Sequence, residues 1–524
     1  MSQHGFTSGL LTLPFLPLLA AAQGGNPPPL IGNFPNVVAP SGNPTTNEKV
    51  LLGFALFFEE QLSSDDTMAC ATCHLPEAGG GDPRAGMRAP GDDGLMRTAD
   101  DEFGSPGMVP QDQDGNFREH PAFGFGLQAT GRNSPPAINA AFLNTQFWDR
   151  RAGPVFRDLL GNVVLPDLAS LEAQAVEPPL SSIEMGDLDR TWSEITTKLE
   201  RVRPLHLAVD VPPRLAQFLG TETSYGPLFT QAFGSPEITR ERIGMAIASY
   251  ERTLVSDQSP FDLGTLTPLQ QQGFFAYQNR ANCENCHPST NRLFTTGEFE
   301  DIRLQDHRRR VKVPSLRNVG LRPRFMSSGQ FRNMDLVLQH YEGLAFFRPL
   351  TGDGGAVKDF LVNGLTDPRV ANRQFPFDRP TLRSDIAPSG SNLVGTGTRG
   401  SNRIVPLMLA DSPPSFGSPS FQLGIGATAG DAKALLVLSP RMASAGTTLL
   451  GIPLSVDPVG AIYKLMITSR AGPGHGVATY RMPLPTDLAL IGRRFYAQWL
   501  VRDRGAASGI AATRAASFTL FARP

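Results

Sequence analysis

Cys70-Ala-Thr-Cys73-His74 and Cys283-Glu-Asn-Cys286-His287 are two copies of C-x-x-C-H, and together they use all four cysteines of the 524-residue chain. Two thiols three positions apart lie on one helical turn, so both can add to the vinyl groups of one haem while the next histidine reaches its iron. A zinc site drawn from four Cys and two His has too many ligands for one tetrahedral set. A redox dithiol needs no histidine directly after it. The spacing therefore predicts two covalently bound haem c groups, with His74 and His287 as iron ligands.

The length suits several domains. The formal net charge is -2, which argues against nucleic-acid binding and against broad attraction to anionic membranes. No cysteine is left over for a disulfide, so cysteine usage is silent about the compartment. The N-terminus speaks instead. Leu10–Ala22 (LLTLPFLPLLAAA) is a short apolar run ending in small residues, like the core and cleavage site of a signal peptide, although the residues before it lack Lys and Arg. It is too short and too Pro-interrupted to span a bilayer comfortably. An exported, periplasmic protein with no transmembrane segment is expected.

Organisation follows from composition. Residues 1–22 read as the signal peptide and 23–46, rich in Pro, Gly and Asn, as an extended lead-in. Glu48–Leu62 has helical apolar spacing and leads to the first motif, and Thr267–Ala281 feeds the second. Further helical patterns cover Trp192–Arg201 and Ile238–Val255, while Gly79–Gly115 is a Gly- and Asp-rich surface loop. The first haem domain is expected over 47–255, the second over 256–384, and a Ser/Gly/Thr/Pro-dense linker over 385–402. From 403 to 524 short alternating runs such as Lys433–Leu438, Ala461–Thr468 and Ala516–Ala522 are punctuated by Gly and Pro, a strand-and-turn pattern. His475 in Gly-Pro-Gly-His-Gly reads as a turn residue.

The segment around the motifs resembles the bacterial di-haem cytochrome c peroxidase and MauG family. The residues that carry the resemblance are Leu52-Gly-Phe-Ala-Leu-Phe-Phe58, Gly131-Arg-Asn-Ser-Pro135, Phe147-Trp-Asp-Arg-Arg-Ala152, Ile183-Glu-Met-Gly186, Val313-Pro-Ser-Leu-Arg-Asn318 and Leu365-Thr-Asp-Pro-Arg-Val370, with both C-x-x-C-H motifs, in the family's order. It spans roughly 47–383 and leaves out the strand-rich C-terminal region. The expected fold class is mainly α, two cytochrome-c-like haem domains followed by a C-terminal β-sandwich.

The resemblance implies a division of labour. Peroxide reacts at the N-terminal haem, where Gln174 and Glu184 keep the family's ten-position separation. Splitting an O–O bond needs a proton carried from one oxygen to the other, which a carboxylate can do while an amide orients the peroxide. Many family members place a histidine ahead of Gly-Arg-Asn-Ser-Pro that closes this iron; the matching residue here is Phe125, which cannot ligate, so an open iron is expected. His120 is the alternative ligand, read as a surface residue. Trp148 matches the tryptophan between the two haems. Asn133 matches a side-chain ligand of the interdomain calcium, joined by carbonyls near Arg322 and Arg324. For the second haem, the sixth-ligand position falls on Tyr341, as in MauG, where peroxidases with soluble donors commonly carry Met; His340, Met334 and Met326 are its competitors.

The expected activity is reduction of hydrogen peroxide at the first haem, with electrons relayed through the second from a small redox protein such as a cytochrome c or a cupredoxin. The alternatives are MauG-like oxidation of a protein or organic substrate through high-valent haems, and a non-catalytic di-haem electron carrier.

Overall fold

The computed structural model describes residues 34–304, 310–386 and 391–522. The expected signal peptide and the first part of the lead-in lie outside the described residues, as do 387–390 of the expected linker.

The helix Asn47–Phe57 starts where Thr46 accepts a hydrogen bond from the Lys49 amide, and it is apolar on nearly all sides because protein surrounds it. It packs against Arg240–Glu251. Gly53 makes that possible: a Cβ there would sit 1.8 Å from the Ala246 carbonyl oxygen. Phe54 stacks on Tyr250 at 4.8 Å. The helix before the second motif, Pro268–Asn279, repeats the device. A Cβ on Gly273 would lie 2.0 Å from the carbonyl oxygen of Ala356, in the helix Gly354–Asp359. Each haem motif is thus delivered by a helix seated backbone-to-backbone on a later one, and each pair centres its own apolar cluster.

The mainly α expectation fails. Only 26% of residues are helical and 19% are strand. The helices are short, and 105–130 has isolated bridges but no helix or strand. The irregular stretches are held by contacts remote in sequence, as where the Met108 amide donates to the Ile183 carbonyl. The C-terminal region adds two antiparallel sheets. One has the order Ile462–Ile467, Lys433–Ser439, Arg494–Arg502, Ala515–Thr519, Asn392–Val394, with Ile510–Ala512 paired to Arg494–Arg502. The other has Pro473–Arg481, Gln422–Ala429, Leu407–Leu409. Leu423 and Ile425 from the second sheet pack with Leu436, Trp499 and Phe518 from the first in a shared core. That alternation was readable as period-two patterning. His475 lies in the strand Pro473–Arg481, and its Nδ1 bonds Glu119 at 2.9 Å.

Two acids have carboxyls raised well above the usual range. Glu60 accepts from the amides of Arg383 and Ser384 at 2.7 and 2.8 Å, and burial pushes its carboxyl up to about 7. Burial, with Asp65 nearby, pushes Asp411 up to about 7 as well. Both folded-state values lie above the unfolded ones, so the folded protein holds protons that the unfolded chain has released. The contribution is complete at acid pH and is lost as pH rises through about 7. The melting temperature of the holoprotein should therefore fall from about pH 5 to about pH 8, and Glu60→Gln with Asp411→Asn should flatten that slope. A double variant with the parental slope would exclude these two groups as its source.

Candidate functional site

The first motif opens onto a cavity of about 270 Å³. Cys70 and Cys73 sit on one short helical turn, and His74 caps it. The His74 Nδ1 is 3.1 Å from the Gly80 carbonyl oxygen, which leaves Nε2 as the ring nitrogen free for iron. Burial lowers the affinity of this imidazole for a second proton, so the neutral, ligating form is the stable one.

Glu184, Gln174 and Trp148 all line this cavity. Burial pushes the Glu184 carboxyl up to about 7, with Glu177 adding to the effect while the Arg151 guanidinium and Ser181 oppose it. Arg151 also lines the cavity. Its guanidinium lies 3.4 Å over the Phe147 ring and bonds Asp149 and Glu177 at 3.1 and 2.9 Å. The chain between Trp148 and Gln174 forms a small hairpin, Phe156–Arg157 with Val163–Leu165, whose turn exposes Leu159 and Leu160.

Glu251 was missed by sequence reasoning. It lines the same cavity one helical turn after Ile247. Its Oε2 is buried without a hydrogen-bond partner among the described residues, and burial pushes its carboxyl up to about 8. A lone acid on an otherwise apolar helix face was the available signal.

Phe125 and His120 do not line the cavity. Phe125 packs with Val109, Phe117, Leu409 and Val477, against the C-terminal sheet. The His120 Nδ1 accepts from the amide of Ala122 at 3.1 Å inside its own turn. Counting back along the chain located Phe125 but could not show that its loop turns away from the histidine.

The second motif opens onto a cavity of about 580 Å³. The His287 Nδ1 is 2.9 Å from the Phe294 carbonyl oxygen, and burial pushes this imidazole down to about 4. Tyr341 lines the cavity, as do Met326 and Met334. The Tyr341 hydroxyl makes no hydrogen bond among the described residues, and burial raises its pKa. His340 is not in the lining; its Nε2 is 2.8 Å from the Ile302 carbonyl oxygen.

Trp148 and Asn133 line both cavities. The indole Nε1 donates to the Asn133 carbonyl at 2.7 Å. Asn133 Nδ2 donates to the carbonyls of Arg324 and Met326 at 3.2 and 3.3 Å. The carbonyls facing Asn133 are thus those of Arg324 and Met326, one of the expected pair displaced by the local turn. Lys312 crosses the same wall: its amide donates to the Trp148 carbonyl at 2.9 Å and its Nζ to Thr145 at 2.8 Å. Burial, reinforced by Arg150, pushes this ammonium down to about 8. Two buried imidazoles, each with Nδ1 tied to a backbone carbonyl and each beside two free thiols and a cavity, fit two covalent haem groups.

The family model for di-haem cytochrome c peroxidase matches residues 47–266. The methylamine utilization protein MauG of Methylophilus methylotrophus is 30% identical over 341 residues, covering 60% of this chain and 78% of that protein. The cytochrome c peroxidase Ccp of Escherichia coli K12 is 29% identical, covering 65% of this chain and 64% of that protein. A crystal structure of a MauG-like protein associated with microbial copper homeostasis aligns at 22% identity and a TM-score of 0.44, covering 70% of this chain and 99% of that one.

Replacing Tyr341 by Phe removes a hydroxyl of the second cavity that makes no hydrogen bond among the described residues. In the oxidised holoprotein this should alter the low-spin electron paramagnetic resonance signal and leave any high-spin signal unchanged. An unaltered low-spin signal would assign the sixth position to Met326, Met334 or another group.

Proposed function

The chain belongs to the di-haem cytochrome c peroxidase and MauG family, and on that premise we propose that hydrogen peroxide is reduced in the first cavity with Glu184 as its proton carrier. Membership makes the protein an oxidoreductase of the di-haem peroxidase type, with c-type haem as cofactor and redox partners as electron source. The observation that carries the site-level reading is the meeting of Glu184 and Gln174 in the cavity beside Cys70, Cys73 and His74.

Haem, when bound by these residues, supplies the iron that accepts peroxide and the path for electrons. The chain supplies the rest. Reducing one peroxide to two waters consumes two electrons and two protons. A carboxyl poised at about 7 can take a proton from one peroxide oxygen and return it to the other, because neither transfer is steeply uphill near neutral pH. The Gln174 amide both donates and accepts, so it can hold the peroxide in one orientation. Arg151 tempers the burial of Glu184 and keeps its anion accessible. Trp148 in the wall between the cavities supports electron delivery from the second centre, with a small cytochrome c or cupredoxin as donor.

Within the same reading, the first half is 47–255, the second 256–384 and the strand-rich region 403–524. The apolar run Leu10–Ala22 and the haem c chemistry support export to the periplasm. A calcium ion at Asn133 is supported by the carbonyls of Arg324 and Met326. With the amide turned, its Oδ1 would join two neutral oxygens, and water would complete the shell.

A second reading, MauG-like oxidation of a protein or organic substrate, is favoured by Tyr341. A phenolate is a hard donor that favours ferric and higher iron over ferrous, which suits storage of oxidising power better than receipt of electrons.

Mixing the holoprotein with peroxide and a reduced small cytochrome tests the first reading; no peroxide-dependent oxidation of any donor would sink it. Peroxide-dependent oxidation of an added phenol or indole, with reduced cytochrome ignored, would favour the second. Glu184→Gln should slow the peroxide step about 10²- to 10⁴-fold. In the parent the rate should rise with pH through about 7, since the base form is the anion, and the variant should lose that rise.

A further inference from the structure

The C-terminal sheets have no part in the reaction as described so far, yet one of them lies on the loop that supports Glu184. Loop 105–130 begins and ends in the first cavity, where Ser105 and Thr130 are both lining residues. At its base the Met108 amide donates to the Ile183 carbonyl at 2.9 Å. The Gln128 Nε2 donates to the Ser182 carbonyl at 2.6 Å. These two bonds hold the residues immediately before Glu184.

The far side of the loop is seated on the strand Gln422–Ala429. Two glycines of that strand make room for two aromatic rings. A Cβ on Gly424 would lie 2.4 Å from Phe117 Cδ2, and one on Gly426 would lie 2.9 Å from Phe125 Cγ. Both rings are buried, at 2% and 6% exposure. The Phe117 amide donates to Thr479 Oγ1 at 2.9 Å. Glu119 pairs with His475 at 2.9 Å and Arg470 at 3.5 Å. The segment has no helix or strand of its own, so these contacts add to the bonds it makes within itself, such as Gly107 to the Gln128 carbonyl and Arg118 to the Pro110 carbonyl.

We propose that the C-terminal sheet is a positioning element of the peroxide site: by seating Phe117 and Phe125 it fixes loop 105–130, which fixes Ser182–Glu184. Phe117 and Phe125 are positioning residues, acting through Met108 and Gln128. The inference rests on the reading of Glu184 as proton carrier. It explains why Phe125, at the position of a closing histidine, is not in the lining of the first cavity: the sheet holds its ring.

The test uses full-length holoprotein. Gly424→Ala with Gly426→Ala displaces both rings. Amide exchange at Met108 should accelerate, and the peroxide rate constant should fall about tenfold or more, with KM for the reduced donor unchanged. Adding Phe125→Leu to Gly426→Ala should recover most of the loss. Glu119→Gln, a milder surface change, should act in the same direction and serves if the glycine variants fail to fold. Val456→Ala loosens the C-terminal core away from the loop and should leave the peroxide rate unchanged. A peroxide rate within about twofold of the parent while exchange at Met108 accelerates would overturn the proposal. So would an equal loss in Val456→Ala. Glu184→Gln separates the two layers. If it leaves the peroxide rate intact, the reading of Glu184 fails; if it abolishes the rate and the glycine variants do not, only the positioning role fails.

Discussion

The hydrogen bond from the Trp148 indole to the Asn133 carbonyl, 2.7 Å long, sits where both cavities share a wall. Around it the Asn133 side chain reaches the carbonyls of Arg324 and Met326, and the Lys312 amide reaches the Trp148 carbonyl. The bonds to Arg324, Met326 and Lys312 are partly buried and join residues far apart in the chain. Buried polar groups of this kind lose a great deal if left unpaired, so the two halves are held in one relative placement. A relay between two redox centres depends on such fixed spacing, because each added gap slows electron transfer.

The electrostatics of the two cavities differ. The first collects carboxyl groups, Glu184 and Glu251, whose burial raises them to about 7 and about 8, within reach of both protonation states near neutral pH. The second is lined by a phenol and thioethers, by the acids Glu300 and Asp301, and by basic side chains such as Arg322 and Lys312. Burial lowers the pKa of these two basic groups, to about 10 and about 8. The asymmetry of two nearly identical sequence motifs thus arises from their surroundings, not from the motifs.

Much of this was legible along the chain. The helices Asn47–Phe57, Arg240–Glu251 and Pro268–Asn279 fall within the segments whose apolar spacing predicted them. So do the strands Lys433–Ser439 and Ile462–Ile467, to within a residue or two. Gln174, Glu184, Trp148 and Tyr341 reach cavities as the motif order suggested. The balance of helix and strand was misjudged because long irregular stretches, ordered by distant contacts, carry no periodicity to read. Glu251 was passed over because an acid at the end of a helix ordinarily faces water, although its place on an apolar helix face was a signal.

The sequence by itself determined the chemistry available: two thiol pairs, each with its histidine, an acid and an amide ten positions apart, and a tyrosine downstream of the second motif. Those are local facts, set by spacing along a helical turn or within a motif. Tertiary structure alone decided that Tyr341 and not His340 faces the second cavity. It alone decided that Phe125 is turned toward Gly426 and out of the first cavity's lining. It also brought Ile183 and Ser182 onto a loop held by strands more than two hundred residues later. Side-chain direction and long-range seating depend on packing against elements remote in sequence, and packing has no signature in any short window of residues.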